Sequence, residues 1–297
     1  MIRPFRRRGL FFLTLLVVLM NSRPHLSAQH ANHPLNISDR ERCAATEEKS
    51  PFALDYHYDL PLGLGVMSMS IAGVIMSHRV DGWDGKETFD KRKINEVDRS
   101  WYNEYRPAVD DAGTLTVLAN LFALPVGIYA AEAITGNLPV RELATISVMM
   151  AEGFAMEYGV RNIIKSSAKR PRPYMYTNKR DEDHLDDGDY TFSFPSGHTS
   201  TSFMAASLLS YTFWKYYPES KFRIPIIALS YTVAATTGFL RIVSGNHFPS
   251  DVLTGAALGT ATGFLIPFIH EKIAKVKYKG QQVLAFDGQS LTATLRF

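Results

Sequence analysis

The chain has 297 residues and a formal net charge of +3, too mild a balance for nucleic-acid binding, which needs a concentrated basic face. Charged residues make up 21% and hydrophobic ones 46%, a globular composition and not a disordered one. Cys43 is the single cysteine, which excludes an intramolecular disulfide and a cysteine-built metal cluster.

Residues 1–28 open on Arg3, Arg6, Arg7 and Arg8, continue through the apolar run Gly9–Met20 and end on Leu26-Ser27-Ala28. That order is the pattern of a signal peptide or, uncut, an N-terminal anchor. Residues 29–59 are polar and without a sustained period, and read as a linker. Asn36-Ile37-Ser38 within it is a glycosylation sequon of a kind common by chance. Leu60–Met76 is apolar but interrupted by Pro61, Gly63, Gly65 and Gly73, and is expected not to cross a membrane. Residues 79–113 are charged, carry Trp83, Trp101 and Tyr105, and read as an external segment with short amphipathic helices.

Five helical candidates follow. Thr114–Ala131 has eighteen residues without a charge. Glu142–Lys165 is helical in composition but carries Glu152, Glu157 and Arg161. His198–Trp214, Ile224–Leu240 and Val252–Ile269 each lack Asp, Glu, Lys and Arg. The short connections predict an antiparallel all-α bundle, with the helical domain over 60–274 and a tail over 275–297. In the tail, Val283–Phe286, Asp287-Gly288 and the alternation of Leu291, Ala293, Leu295 and Phe297 predict a C-terminal β-hairpin.

Three separated stretches hold parts suited to a phosphate ester. The first runs from Lys165 through Arg172 and Pro173, the second is Pro195-Ser196-Gly197-His198, and the third runs from Arg241 through His247 to Asp251. A phosphate monoester carries up to two negative charges, so cleaving it calls for cations, an in-line nucleophile and a proton for the departing oxygen. Lys165, Arg172 and Arg241 are the candidate cations, since arginine forks suit pairs of phosphate oxygens and lysine supplies a point charge. Ser196 is a natural N-cap, and the free amides after it, Gly197 included, suit an anion. Gly197 lets the backbone approach closely. His247 and Asp251 share a helix face at four residues apart, and an Asp on one ring nitrogen leaves the other nucleophilic. His198 is then the candidate general acid.

These stretches resemble the three motifs of the type 2 phosphatidic acid phosphatase and vanadium haloperoxidase superfamily. Lys165, Arg172, Pro173, Pro195, Ser196, Gly197, His198, Arg241, His247 and Asp251 match in order and spacing, and the resemblance extends over about Leu60 to Ile269. Leu240 departs, standing where the family usually has serine. The resemblance implies an all-helical bundle and a phosphatase that needs no metal. It also implies a covalent phosphohistidine on His247, orientation of His247 by Asp251, and proton transfer by His198. Phosphate would be held by Lys165, Arg172, Arg241, Ser196 and Gly197. Vanadate enters as a cofactor only if the chain is a haloperoxidase, a reading that its short length disfavours. The residues are also compatible with a soluble periplasmic acid phosphatase, and less so with a non-catalytic envelope protein.

Around these motifs, Glu157 and Arg161 are spaced for an intrahelical ion pair. Lys169 and Arg170 read as solvated, and the acidic run 181–189 reads as a solvated loop. The mean hydropathy of −0.08 and Glu152 and Arg161 favour a soluble or peripheral domain, because charges are costly in lipid. Lys215, Lys221, Arg223, Lys272, Lys275, Lys277 and Lys279 favour a membrane protein, because they fall opposite the motifs, as a cytoplasmic face does. The balance points to association with the inner membrane of a bacterial envelope, an active site on the periplasmic side and a phosphorylated-lipid substrate. The sequence names neither the particular substrate nor an oligomeric state.

Overall fold

The computed structural model describes residues 50–77, 82–85, 88–182, 185, 188–281, 284–286 and 291–293. The expected signal or anchor, the sequon and Cys43 lie outside them. Seven helices carry the described chain: α1 (Tyr56–Ser77), α2 (Pro107–Leu118), α3 (Leu124–Ile134), α4 (Val140–Ala168), α5 (Gly197–Tyr216), α6 (Arg223–Val243) and α7 (Pro249–Gln281). A π turn, Ala119–Ala123, joins α2 to α3 without a break. It turns Asn120 inward, where its amide donates to Ser202 O, Ser202 Oγ and Ser230 O at 2.9, 3.0 and 3.1 Å. A π bulge of this kind re-aims one side chain inside an otherwise regular helix.

Buried α5 is the axis of the bundle. It packs against α7, α6, α4 and α2, while α1 lies along α4 and α2 along α6. Small residues set the α5–α7 spacing. Gly255, Gly259 and Gly263 of α7 face the carbonyls of Ser196, Ser200 and Met204, and a Cβ on any of the three would overlap them. A stripe of glycines four residues apart lets two helix backbones touch, as it does between helices in lipid. Because α5 begins at Gly197, directly after Ser196, and α7 at Pro249, close after His247, this contact also fixes where two of the motifs meet.

Among the described residues, four helical stretches are long and apolar enough to cross a membrane: Tyr56–Met76, Pro107–Ile134, Arg223–Val243 and Pro249–Lys277. Between 11 and 33% of their apolar windows is buried, so Leu64, Ile71, Val126, Leu229, Phe239 and Leu253 face outward. These faces make the chain membrane-associated. The low mean hydropathy comes from the polar stretches outside the helices, such as 79–106 and 169–191, while the charged and hydroxyl residues Glu152, Glu157, Ser200, Ser202 and Thr212 of α4 and α5 are buried where neighbouring helices shield them.

Two expectations fail here. Leu60–Met76 is not broken but belongs to a continuous helix of 22 residues containing Pro61. Gly63 and Gly65 meet nothing within 4 Å, and Gly73 packs against Gly159 and Asn162 of α4, so tertiary contact overrides the weak local propensity. The linker also ends early. The compact unit begins at Lys49, and Phe52 and Ala53 are buried. In the segment 79–113, the 3₁₀ turn Lys91–Lys93 and the start of α2 are the helical structure among the described residues. At the tail, Leu284–Phe286 (β1) pairs antiparallel with Leu291–Ala293 (β2), while the turn, residues 287–290, lies outside the described residues.

The two ends of the bundle differ. The three motifs gather where α4 and α6 end and α5 and α7 begin. Towards the other end, His270 of α7 binds Glu152 of α4 at 2.7 Å through Nε2 and faces Ala53 O at 3.1 Å and Asp59 of α1 at 3.7 Å through Nδ1. With α7 rising about 1.5 Å per residue, His270 stands roughly 30 Å from His247.

Candidate active site

Backbone hydrogen bonds hold the three motifs together before any side chain is considered. Left-handed Lys169 (φ 43°) ends α4, and the chain turns into Arg170-Pro171-Arg172. Arg172 N donates to Tyr190 O at 2.8 Å and Ser193 N to Arg170 O at 3.0 Å, tying the first motif to the approach of the second. Tyr174 N donates to Gly245 O at 3.1 Å, tying the first to the third, and Ser196 N to Asp251 O at 3.0 Å, tying the second to the third. Gly245 sits at φ 78°, and a Cβ there would meet the carbonyls of Asn103 and Glu104 at 2.6 Å. This turn needs glycine, and it brings His247 N to Arg241 O at 3.1 Å.

The predicted cations converge. Lys165 Nζ donates to Phe192 O at 2.7 Å. Arg172 is buried, with Nη2 on Asp189 at 2.5 Å and Nη1 on Asn246 Oδ1 at 3.1 Å. Arg241 is buried and paired with Asp110. Their charges reach both imidazoles. Burial, then Arg172, Lys165, Arg241 and His198, hold the His247 pKa well below its ordinary range. Burial, then Arg161, Arg172 and Lys165, lower that of His198 to about 3. Burial and Arg172 bring Lys165 down to about 7. A group of cations that depresses its own histidines and lysine is one that an incoming dianion relieves.

The order of contacts around His247 differs from the expected one. Nδ1 lies 2.7 Å from Ser193 O and 3.8 Å from Asp251 Oδ2. A carbonyl only accepts, so Nδ1 carries the proton and Nε2 the lone pair. Asp251 reaches His247 through Ser193, whose hydroxyl donates to Oδ2 at 2.5 Å; Phe248 N donates to the same oxygen at 2.8 Å. Its other oxygen takes Arg170 Nη1 at 2.5 Å. Ser196 is the N-cap residue of α5, but its buried hydroxyl pairs with Thr199 Oγ1 at 2.9 Å and makes no cap bond. Ser200 N donates to Ser196 O at 3.0 Å, so the amides of Gly197 and His198 precede the first intrahelical bond and stay available to an anion. His198 Nε2 lies 3.2 Å from Thr114 Oγ1.

Several partners escaped the sequence reading. Arg170 is not solvated. It bridges Asp251 to buried Asp98 at 2.7 Å, and Asp98 also accepts from Ser250 N at 3.0 Å and Ser250 Oγ at 2.5 Å. Burial raises the Asp98 pKa, but hydrogen bonds from Ser250 and Arg170 outweigh it and leave it lowered. The acidic run is not simply solvated either, because Asp189 pairs with Arg172 and Asp181 is buried. Asp98 and Asp110 lie in a charged segment where nothing marks one carboxylate from the next. Arg170 carried the available signal, sitting two residues before Arg172 in a proline-bounded turn. The expected Glu157–Arg161 pair is present at 3.2 Å.

Residues 146–275 match the family model described as the PAP2 superfamily, a span that contains all three motifs. A lipid A 1-phosphatase of Porphyromonas gingivalis is 28% identical over 266 residues, covering 88% of this chain and 51% of that protein. The chain thus spans about half the length of that relative. Phosphatidylglycerophosphatase B of Bacillus subtilis is 24% identical over 220 residues, covering 74% of this chain and 98% of that protein. A solved transmembrane PAP2-type phosphatidylglycerolphosphate phosphatase from Bacillus subtilis aligns with a TM-score of 0.44 at 20% identity, over 74% of this chain and 98% of the other.

Proposed function

We propose that this chain, which belongs to the PAP2 superfamily, hydrolyses phosphate monoesters of membrane lipids through a phosphohistidine, without a metal. The observation that supports this most is the meeting of two imidazoles with Lys165, Arg172 and Arg241 at one end of a bundle with outward apolar faces. Lys165, Arg172, Arg241 and the amides of Gly197 and His198 bind the phosphate oxygens. His247 Nε2 attacks phosphorus while Ser193 O holds Nδ1–H. The bond from phosphorus to the ester oxygen breaks, and His198 gives that oxygen a proton. His198 then takes a proton from water, whose oxygen displaces His247 and releases inorganic phosphate. Burial and then positive charge keep His198 neutral; the dianion offsets the charge, so the substrate itself favours the protonated acid. The activities named for the two relatives, on lipid A and phosphatidylglycerophosphate, support a lipid monoester as substrate.

We place the site on the periplasmic side of the inner membrane. Lys215, Lys221, Arg223, Lys272, Lys275 and Lys277 lie towards the opposite end, as positive charge does on a cytoplasmic face. Helix α1 starts at that end with Asp59 beside His270 and reaches the site end with Gly73 against α4. This reading puts residue 50 on the cytoplasmic side, in contrast with the signal peptide or N-terminal anchor expected from residues 1–28. Impermeant maleimide on intact spheroplasts tests this. Cys43 should be protected and a cysteine placed at Glu182 in a Cys43→Ser background labelled, and the reverse pattern overturns the placement.

For the chemistry, purified protein in detergent should release phosphate from a lipid monoester in EDTA, and His247→Ala should be inert. Loss of activity on chelation, or a near-normal rate in His247→Ala, defeats the reading.

A further inference from the structure

We propose that Arg161 is a fourth phosphate-binding cation, placed on the leaving-group side of the site, where its Nη groups bind the substrate oxygen next to His198. This rests on the phosphatase reading above. Arg161 stands one helical turn before Lys165 on α4, so the two share a face. Its guanidinium lies against Gly197: a Cβ built there would overlap Arg161 Nη1 and come within 3.1 Å of Cζ. Gly197 thus leaves room for the Arg161 guanidinium in its present position as well as for an anion.

The way Arg161 is held distinguishes it from the other two arginines. Arg172 and Arg241 commit Nη atoms to Asp189, Asn246 and Asp110. Arg161 Nε stands 3.2 Å from Oε1 of fully buried Glu157, an ion pair that makes no hydrogen bond, with the Tyr158 ring 4.9 Å beneath. Glu157 is pinned in turn by Thr201 Oγ1 at 3.1 Å, one turn along α5 from Gly197. No protein acceptor takes the Nη hydrogens of Arg161 among the described residues, although its side chain is 13% exposed. A guanidinium placed by an ion pair and an aromatic ring, with its Nη hydrogens uncommitted, is prepared for an external oxygen.

The side follows from where the guanidinium lies: against Gly197, the residue directly before His198. In keeping with this, Arg161 is the foremost charge acting on His198, on which Arg172 and Lys165 also act, and it is not among the main charges acting on His247. In-line displacement puts nucleophile and leaving group on opposite sides of phosphorus, so Arg161 stands with the acid. There it stabilises charge growing on the departing oxygen before the proton arrives.

The test compares purified full-length wild type, Arg161→Met and Arg161→Lys on an alkyl phosphate and on 4-nitrophenyl phosphate, whose departing oxygen needs little help. Arg161→Met should lose about 100-fold in kcat/KM on the alkyl ester and about 10-fold or less on the aryl ester. Inhibition by inorganic phosphate should weaken in parallel. Arg161→Lys should recover part of the loss, and added guanidinium should partly rescue Arg161→Met. Equal losses on both esters with no rescue, or unchanged kinetics, overturn the assignment. His247→Ala separates the two readings. Wild-type turnover abolished in His247→Ala beside a normal Arg161→Met rejects this inference alone, whereas an active His247→Ala rejects the phosphatase chemistry itself.

Discussion

Changing Asp251 to Asn tests the finding that His247 is oriented by a carbonyl and not directly by a carboxylate. The Asp251 carboxylate accepts three hydrogen bonds: Ser193 Oγ at 2.5 Å, Phe248 N at 2.8 Å and Arg170 Nη1 at 2.5 Å. An amide keeps the shape but has one oxygen. If that oxygen serves Ser193 and Phe248, the NH₂ group faces Arg170, donor against donor. One charge-assisted hydrogen bond is lost, about 1.5–3 kcal/mol, while Arg170 keeps Asp98 and Ser250. The opposite flip sets the NH₂ against Phe248 N–H and is no better. Stability should therefore drop by about 2–3 kcal/mol. The Ser193 carbonyl still holds Nδ1–H, so the tautomer survives. If the loss carries fully into the transition state, the rate falls about 30- to 160-fold. A carboxylate bonded directly to the imidazole predicts the roughly 10⁴-fold loss seen where such a change flips a catalytic histidine's tautomer. Single-turnover phosphate release and thermal melting of the same samples decide it. A 10⁴-fold loss with unchanged melting would refute the reasoning.

Three further expectations follow from the same structure. Gly259→Ala puts a methyl onto the Ser200 carbonyl, which backbone cannot evade, so it should destabilise by about 1–3 kcal/mol and lower activity by shifting His198 relative to His247; a thermal melt equal to wild type would refute the close α5–α7 contact. The His198 pKa falls from 6.5 to about 3 in the folded state, so the unfolded chain takes up the proton first and stability should fall as pH drops from 6.5 towards 3. His198→Gln should flatten that slope, and identical slopes in chemical denaturation would remove the effect. His270→Leu leaves buried Glu152 without the partner it holds at 2.7 Å and should cost about 3–5 kcal/mol while sparing kcat in the surviving folded fraction; a lost kcat without lost stability would tie that end of the bundle to the chemistry.

Chemistry was legible along the chain because it depends on residue type at fixed spacing. The Arg241-to-His247 interval requires one left-handed turn, which Gly245 supplies, and the Lys165-to-Arg172 interval spans a helix end closed by Lys169 and prolines. Helices free of charge announced themselves by composition. Residues 60–76 were misjudged because proline and glycine penalties are local, whereas the contact of Gly73 with Gly159 and Asn162 that accompanies α1 is not.

Sequence by itself determined the identity of the reacting groups and their order: two histidines, three cations and a glycine that admits a ligand. Tertiary structure alone decided which neighbour serves each of them. Asp98 reaches Arg170 across 72 positions, Asp110 reaches Arg241 across 131 and Ser193 O reaches His247 across 54. Pairing at such separations leaves no periodic trace, because a carboxylate or carbonyl is marked out only by the partner that folding brings to it.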